Sequence, residues 1–351
     1  MMESIEIDGS QGEGGGQILR TSFALAALKG QSIKITKIRA GRERPGLKPQ
    51  HVAALQVLSS ICTAEIKGAD RGSEEVEFSP KEINSTALNV NIGTAGSISL
   101  LLQQLLPVAL KANLKIRIFG GTNVDWSPPM EFYQELFFPL LKKMGARFEA
   151  KVSKRGYFPK GKGSVNFSSG KVKLPLKPIN LGNFLGVEEV AMFSHSSNLP
   201  KDVSLIQASS AKKLILEKFP GTVFFKTIEF KEKSNTIGSG ITLIASDSKG
   251  NKLCASSSGR RGKQAAVVGK EAAEKLISEI SAGKAVDSHT ADQLIPFMAL
   301  ANGKSTIHCG KLTKHCLTNI AICEKLLGVK FEVKGIAEKP AKISVEGIGF
   351  T

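Results

Sequence analysis

The sequence predicts an α+β protein built of α/β layers. Three βαβαββ passes form a large domain, and a small α+β domain is inserted into it. Three observations predict this. Short runs with apolar residues at every second position alternate with longer apolar stripes of helical period. The same order of elements recurs three times, each over about 65 to 80 residues. Roughly 100 residues between the second and third passes break the rhythm.

In the first pass, a strand at 4–8 runs through a glycine-rich loop into an apolar helix at 17–28. A Gly30-Gln31 break precedes a strand at 32–38, a helix at 51–63 and strands at 64–67 and 75–78. The second pass reads as a strand at 88–92, a loop at 93–97 and a helix at 98–111. That helix is expected to bend at Pro107, which lacks an amide donor. A strand at 114–119, a helix at 130–144 and strands at 146–152 and 164–167 complete it. The interruption holds a strand near 187–193, a helix at 204–218 and a strand at 222–230. A hairpin follows, its strands 241–246 and 252–256 joined by Asp247-Ser248-Lys249-Gly250-Asn251. An amphipathic helix at 263–281 ends the interruption. The third pass opens at Val286, passes a loop at 288–290, and continues as a helix at 291–301 and a strand at 305–308. A helix at 315–327 and strands at 329–333 and 343–347 close the chain. The expected division is therefore 1–184 and 284–351 for the large domain and 185–283 for the insert.

The 351 residues are 41% hydrophobic and 23% charged, which excludes a disordered or collagen-like chain. No apolar run approaches the roughly 20 residues that cross a bilayer, and the first residues lack a secretory pattern. The expectation is a soluble protein of the cytoplasm, or of the nucleus in a eukaryote, with no membrane partner. The five cysteines, an odd number, read as reduced thiols. Cys316 and Cys323 lie seven apart in a helical pattern, the spacing of two core positions rather than of zinc ligands.

Net charge is +17, which favours a polyanionic partner. The charge is also clustered. Residues 142–177 hold eleven Lys and Arg (among them Lys151, Lys154, Arg155, Lys160, Lys162 and Lys171) against Glu149 alone. Residues 29–48 hold seven against Glu43. The patch at 151–162 is the expected face for a polyanionic partner such as nucleic acid.

Two loops carry the strongest chemical signals. Asp8-Gly9-Ser10-Gln11-Gly12-Glu13-Gly14-Gly15-Gly16-Gln17-Ile18-Leu19-Arg20 leads a strand through five glycines into a helix, a setting for phosphate at a helix N-terminus. It matches neither standard nucleotide-loop pattern. Glu13 and Arg20 flank it, a carboxylate suited to a divalent cation beside a guanidinium suited to phosphate. The alternative is a plain tight turn. In the second loop Arg39, Arg42 and Arg44 stand within six residues of a chain that has only ten arginines. That concentration points to bidentate phosphate recognition, with a solvated loop as the alternative. Of the five histidines, His289 and His315 are placed at helix starts, where the cationic imidazole is disfavoured. His51 is also at a helix start, as a cap or phosphate contact, while His195 and His308 fall in strands or turns. Taken alone, each is more often structural than catalytic.

These stretches resemble the RNA 3′-terminal phosphate cyclase family. The resemblance is carried by residues 8–20, 39–51, Thr94-Ala95-Gly96-Ser97 through Gln103, Gly120-Gly121-Thr122-Asn123, Asp292-Gln293-Leu294 through Ala301, 315–321 and Glu346-Gly347-Ile348-Gly349, in the family's order. It implies three βαβαββ repeats with a small insert, and ATP-driven conversion of an RNA 3′-phosphate to a 2′,3′-cyclic phosphate. His315 matches the family's nucleophile, which forms a covalent histidine–AMP. AMP then passes to the RNA 3′-phosphate and is displaced by the ribose 2′-OH. Gln103, Pro128, Phe132, Asp292 and Gln293 match nucleotide-binding positions, and His289 stands where the family often has another aromatic residue. Arg20, Arg39, Arg42 and Gln50 match the phosphate-binding set. Glu13 matches a carboxylate for Mg2+ or Mn2+. The implied partners are ATP and RNA with a 3′-phosphate end, with oligomeric state left between monomer and homodimer. Two rivals share the architecture: a catalytically inert cyclase-like ribosome-assembly factor and an enolpyruvyl-type transferase. The first lacks the nucleophilic histidine, and the motifs of the second are missing here.

Overall fold

Alternation sets the first sheet. Ile7, Ile33 and Ile35 are buried while Glu6 is exposed, so strands β1 (Ile5–Asp8) and β2 (Ile33–Thr36) lay one face on a core and pair in parallel. Strands β3 (Glu65–Lys67) and β4 (Val76–Ser79) complete it antiparallel, in the order β1-β2-β4-β3. The structure, a computed structural model, describes residues 4–93, 95–170, 172–220, 224–232 and 234–351. Thr94, Lys171, Thr222 and Val223, all used in the sequence reading, lie outside the described residues.

The second sheet repeats the pattern. Strands β5 (Thr86–Asn91) and β6 (Leu114–Gly120) are parallel, and β7 (Phe148–Lys154) and β8 (Gly163–Ser169) give the order β5-β6-β8-β7. A third sheet has β9 (Asn180–Leu181), β14 (Asn302–Cys309), β15 (Phe331–Lys334) and β16 (Ala341–Ile348), again with one parallel and two antiparallel pairings. Between these sheets lie the helices. α1 (Gly16–Lys29) touches α2 (Pro49–Cys62), α3 (Ile98–Val108) and α8 (Lys314–Leu327), and α8 also packs on α7 (Ser288–Leu300). α1 is therefore buried nearly all round, which explains its continuous Ile18-Leu19 and Phe23–Leu28 apolar character. The chain is α+β.

Residues of the interruption build a fourth sheet, β11-β10-β12-β13, from β10 (Glu189–Ser197), β11 (Phe224–Glu232), β12 (Gly238–Ser246) and β13 (Lys252–Ser258). Helices α5 (Val203–Lys218) and α6 (Ala265–Ser281) share a second hydrophobic cluster with it through Val190, Met192, Leu243 and Leu253. Phe193, Ile244 and Cys254 of the same sheet belong instead to the main core. Among the described residues, no helix is long and apolar enough to cross a membrane.

Four local readings change. The first strand of the third pass is split: Asn180–Leu181 pairs with Thr306–Ile307 before the interruption, and Val286 bridges Cys309 after it. Helix α7 starts at Ser288, not 291, because Asp287 accepts the Thr290 amide at 2.8 Å and caps it. The helix expected at 130–144 is a π-helical turn, Phe132–Phe137, followed by α4 (Phe138–Met144). α3 ends at Val108, so Pro107 sits in its last turn rather than at a mid-helix bend.

Candidate active site

Two helix N-termini meet at the site. α1 begins after Gly15 with no side-chain cap, leaving its first amides to a ligand or water. α8 begins after Thr313, whose hydroxyl accepts the Cys316 amide at 2.9 Å, and so holds His315 in the first turn. The glycine loop lies against α8. A Cβ on Gly12, whose φ is +59°, would stand 2.3 Å from Thr318 Oγ1. No other residue fits that approach in that conformation.

The loop delivers Glu13 to His315. Glu13 Oε2 lies 2.6 Å from His315 Nε2, and Arg42 Nη2 donates to Glu13 Oε1 at 2.7 Å. Oε2 is buried without a well-directed hydrogen bond, as is His315 Nδ1. Burial lowers the His315 pKa from 6.5; Glu13 opposes that shift, while Arg20, His289 and Arg42 add to it. The imidazole is thus neutral at neutral pH, with Nε2 the nitrogen turned to the loop.

Behind this pair runs a buried polar network. Arg20 Nε donates to Gln103 Oε1 at 2.8 Å and Arg20 Nη2 to Gln17 Oε1 at 2.9 Å. Gln17 Nε2 and the Thr21 hydroxyl both donate to Asn319 Oδ1, at 2.9 and 2.7 Å, and Asn319 Nδ2 donates to the Asp292 carbonyl at 2.6 Å. The Thr313 hydroxyl donates to Asp292 Oδ1. α1, α3, α7 and α8 are therefore pinned to one another around the site. Burial also lowers the Arg20 pKa to about 10, still far above neutrality, so its charge stays. His51 Nδ1 accepts the Lys48 amide at 3.1 Å, closing the start of α2. Its pKa falls to about 3 through burial beside Arg20, Arg39 and Lys48, so it is a neutral ring with its proton on Nε2. That Nε2 faces Gly16, where a Cβ would stand 2.7 Å away.

The structure brings together Glu13, Arg20, Arg42, Gln103, Asp292 and His315. Gln293 joins through Tyr133, whose hydroxyl lies 2.9 Å from both Gln293 Oε1 and the Ser99 carbonyl. His289 is exposed in the first turn of α7. Arg39, with φ +55°, turns its guanidinium back to the Gly46 carbonyl at 2.8 Å and is buried. Gln50 makes no side-chain hydrogen bond among the described residues, and Pro128 is half-buried. Phe132 lies in the core, 2% exposed, with its ring stacked 5.5 Å from Phe137 and edge-on to Tyr133. The sequence reading assigns no role to Gln17, Thr21, Tyr133, Thr313 or Asn319, although Gln17 and Asn319 fall inside stretches that carry the resemblance. Polar residues at 17, 20 and 21, one face of an otherwise apolar helix, were the available signal.

Burial raises the Asp292 pKa from 3.8 to about 8. Between those values the unfolded chain ionises this group and the folded one does not, so stability falls as pH rises through that window. Asp292→Asn keeps the Thr313 contact and removes the penalty. Its gain in melting temperature over the parent is expected to grow between pH 5 and pH 8, as calorimetry at a series of pH values would show. A gain independent of pH would contradict the assignment.

A family model for RNA 3′-terminal phosphate cyclase matches residues 11–333. The chain is 40% identical over 354 residues to the RNA 3′-terminal phosphate cyclase of Methanopyrus kandleri, covering 99% of this chain and 100% of that one. It is 41% identical over 348 residues to the protein of that name in Thermococcus kodakarensis, with 98% of each chain covered. With that of Methanosarcina barkeri the identity is 43% over 336 residues, covering 94% of this chain and 96% of the other.

Proposed function

The chain belongs to the RNA 3′-terminal phosphate cyclase family, and from that premise we propose that it consumes ATP to close an RNA 3′-phosphate into a 2′,3′-cyclic phosphate. The observation that carries the reading is His315. It is a neutral imidazole at the start of α8, with Nε2 facing Glu13 2.6 Å away and the uncapped start of α1 across the loop. Such a ring is a nucleophile in its resting state.

Three displacements make up the reaction. His315 Nε2 attacks the α-phosphorus of ATP with its lone pair, the bond to the β-phosphate oxygen breaks, and pyrophosphate leaves while the ring keeps its proton on Nδ1. An oxygen of the RNA 3′-phosphate then attacks the same phosphorus and breaks the P–N bond, restoring His315. Finally the ribose 2′-oxygen attacks the RNA phosphorus, AMP departs, and the hydroxyl proton passes to solvent. Adenylylation turns a poor leaving group into a good one. Arg20, Arg42 and the first amides of α1 stabilise the charge that builds on the phosphates. Arg39 and Gln50 complete the phosphate set by resemblance, and Arg39 also shapes its loop. Gln103, Asp292, Gln293, His289 and Pro128 surround the nucleotide. Phe132 supports that pocket from the core.

The residues present fit a divalent cation of the kind carried in by a nucleotide. Glu13 Oε2 is a buried carboxylate oxygen that accepts no well-directed hydrogen bond, although His315 Nε2 lies 2.6 Å away, and Mg2+ is commonly held by one or two carboxylates plus substrate phosphates. Glu13 would hold Mg2+ or Mn2+, which supplies charge neutralisation at the phosphates when bound. The division into 1–184, 185–283 and 284–351 is part of the same reading, supported by the chain leaving the third sheet after Leu181 and returning at Val286.

Incubation with ATP labelled at the α-phosphate, Mg2+ and a 3′-phosphorylated oligoribonucleotide tests the reading. Acid-labile, alkali-stable label on the protein and a cyclic RNA end are expected; absence of both would point to an inert scaffold. Because His315 titrates below 6.5, the rate of protein labelling should stay level from pH 8 to 6.5 and fall only below that. A midpoint above pH 7 would count against this imidazole.

A further inference from the structure

Two exposed aromatic side chains lie far from any core. Trp126 is 95% exposed and Phe158 is 72% exposed. They sit on adjacent loops, because Asn123 bridges Tyr157. Both loops emerge from one end of the second sheet. β6 runs out at Gly120 opposite Gly163, and β7 runs out at Lys154 opposite Ser164. α3, which carries Gln103, also starts at this end, through the Ser97–Gly121 bridge. Leaving large rings in water is unfavourable unless something covers them. Here the neighbours are cationic: Lys160 and Lys162 are exposed on the Phe158 loop.

The outer face of the same sheet continues this character. Register places Asn89, Arg117, Asn166 and Lys151 in one row across its four strands. Lys115 is two residues before Arg117 on β6, and Phe119 two residues after it. All three lie on the outer side of β6, and Arg117 lies over the half-buried Phe119 ring at 5.1 Å. Lys115, Arg117, Lys142, Arg147 and Lys151 border an open concavity of about 1110 Å³, and none of them makes an ion pair among the described residues.

The other two main sheets differ. The first shows Glu6, Asp8, Glu65 and Glu77 against Lys34 and Lys67, and both lysines pair with glutamates. In the third, Lys304 stands opposite Glu346 and Lys334 pairs with Glu332 at 3.0 Å. The second sheet therefore has the larger excess of positive charge: Lys115, Arg117 and Lys151 face Glu149 alone on its outer side, whereas Lys304, Lys334 and Lys342 of the third share theirs with Glu332 and Glu346. A four-stranded sheet with an aromatic ring, amide side chains and unpaired cations suits single-stranded RNA, whose bases stack and whose phosphates need countercharge.

We propose that this surface grips the body of the RNA, the single-stranded nucleotides 5′ to the reacting end. Bases stack on Trp126 and Phe158, and phosphates follow Lys115, Arg117 and Lys151. The proposal rests on RNA being the substrate, and it adds a second binding region on repeat two to the phosphate site at α1. Arg155, counted with this basic patch from the sequence, is not part of it. Its side chain is buried against Glu131.

Trp126 is the only tryptophan of the chain, so its emission reports on this loop alone. Titration with a 20-nucleotide single-stranded RNA ending in a 3′-hydroxyl, without ATP, is expected to quench it. Because this RNA cannot be cyclised, the result stands whether or not the chemistry proposed for His315 is right. Trp126→Ala and Phe158→Ala should each weaken binding of that RNA, measured by anisotropy of an end label, by about fivefold or more. The triple change Lys115→Gln, Arg117→Gln, Lys151→Gln should flatten the plot of log affinity against log salt by about 2, from roughly 0.7 per phosphate contact on a single strand. The losses should be larger for the 20-mer than for a trinucleotide. Unchanged emission at saturating RNA, quenching by ATP but not by RNA, or a parental salt slope in the triple variant would each overturn the proposal.

Discussion

His315→Ala is expected to abolish covalent labelling of the protein by ATP and, with it, formation of the cyclic RNA end. Loss of a covalent nucleophile costs on the order of 10⁴-fold or more in rate, because no neighbouring group takes over the displacement. The fold should not suffer. The ring is partly exposed, its Nδ1 has no hydrogen bond to lose, and Thr313 rather than His315 caps α8. RNA binding should persist, since the arginines proposed to hold phosphate and the cations proposed to hold RNA on the second sheet are untouched. The decisive comparison sets protein labelling and filter binding side by side on one preparation. Label surviving in the variant would remove His315 from the mechanism. Loss of both activities together would mean that the change had damaged the site rather than its nucleophile. Glu13→Gln is the companion variant. Glu13 raises the His315 pKa, so its removal should move the acid limb of the labelling profile further down, not up.

The second large effect concerns stability. Arg155 and Glu131 form an ion pair of 2.5 Å with both side chains 3% exposed, where water cannot replace a missing partner. Arg155 also donates to Asn123 Oδ1 at 3.2 Å and lies over the Phe230 ring at 4.9 Å. Asn123 Nδ2 meets His195 Nε2 at 3.1 Å, and the Tyr157 hydroxyl meets His195 Nδ1 at 2.8 Å. His195 is held well below its ordinary pKa by burial and by Arg155, so it is a neutral member of this cluster. Arg155→Leu strands the Glu131 carboxylate in the interior and is expected to cost about 3–5 kcal/mol. The double change Glu131→Leu, Arg155→Leu removes both charges and should recover most of that loss, as buried pairs often tolerate joint replacement. Urea unfolding of the parent, the single and the double variant measures it. A double variant no more stable than Arg155→Leu would show that the hydrogen bonds to Asn123, and not the uncompensated charge, dominate.

Arg155 also marks the limit of a linear reading. In the chain it is one of eleven cations between residues 142 and 177, and nothing nearby distinguishes it. Its partner Glu131 comes from the segment before the π-helical turn, and its stacking partner Phe230 comes from β11. Phe132 shows the same limit in reverse. It matches a nucleotide-contacting position by resemblance, yet its ring is enclosed by Tyr133 and Phe137. The split strand of the third sheet is a third case. Leu181 and Val286 serve β14 from opposite sides of the interruption, and two residues followed by a long excursion do not read as a strand.

What the sequence determined by itself is whatever neighbouring residues impose on one another. The turn at 247–251 is one example, since the Asp247 carboxylate takes the amides of Lys249 and Asn251 at 3.0 and 2.8 Å. The alternation in β6, the glycines that carry the loop past Thr318, and the placing of His315 at a helix start are others. Tertiary structure alone decided which charges are exposed, which rings keep a free face, and that Glu13 meets His315 across some 300 residues of chain. The reason is physical. Periodicity and turn chemistry act over a few bonds, whereas desolvation and ion pairing depend on groups that only folding brings within a few ångströms.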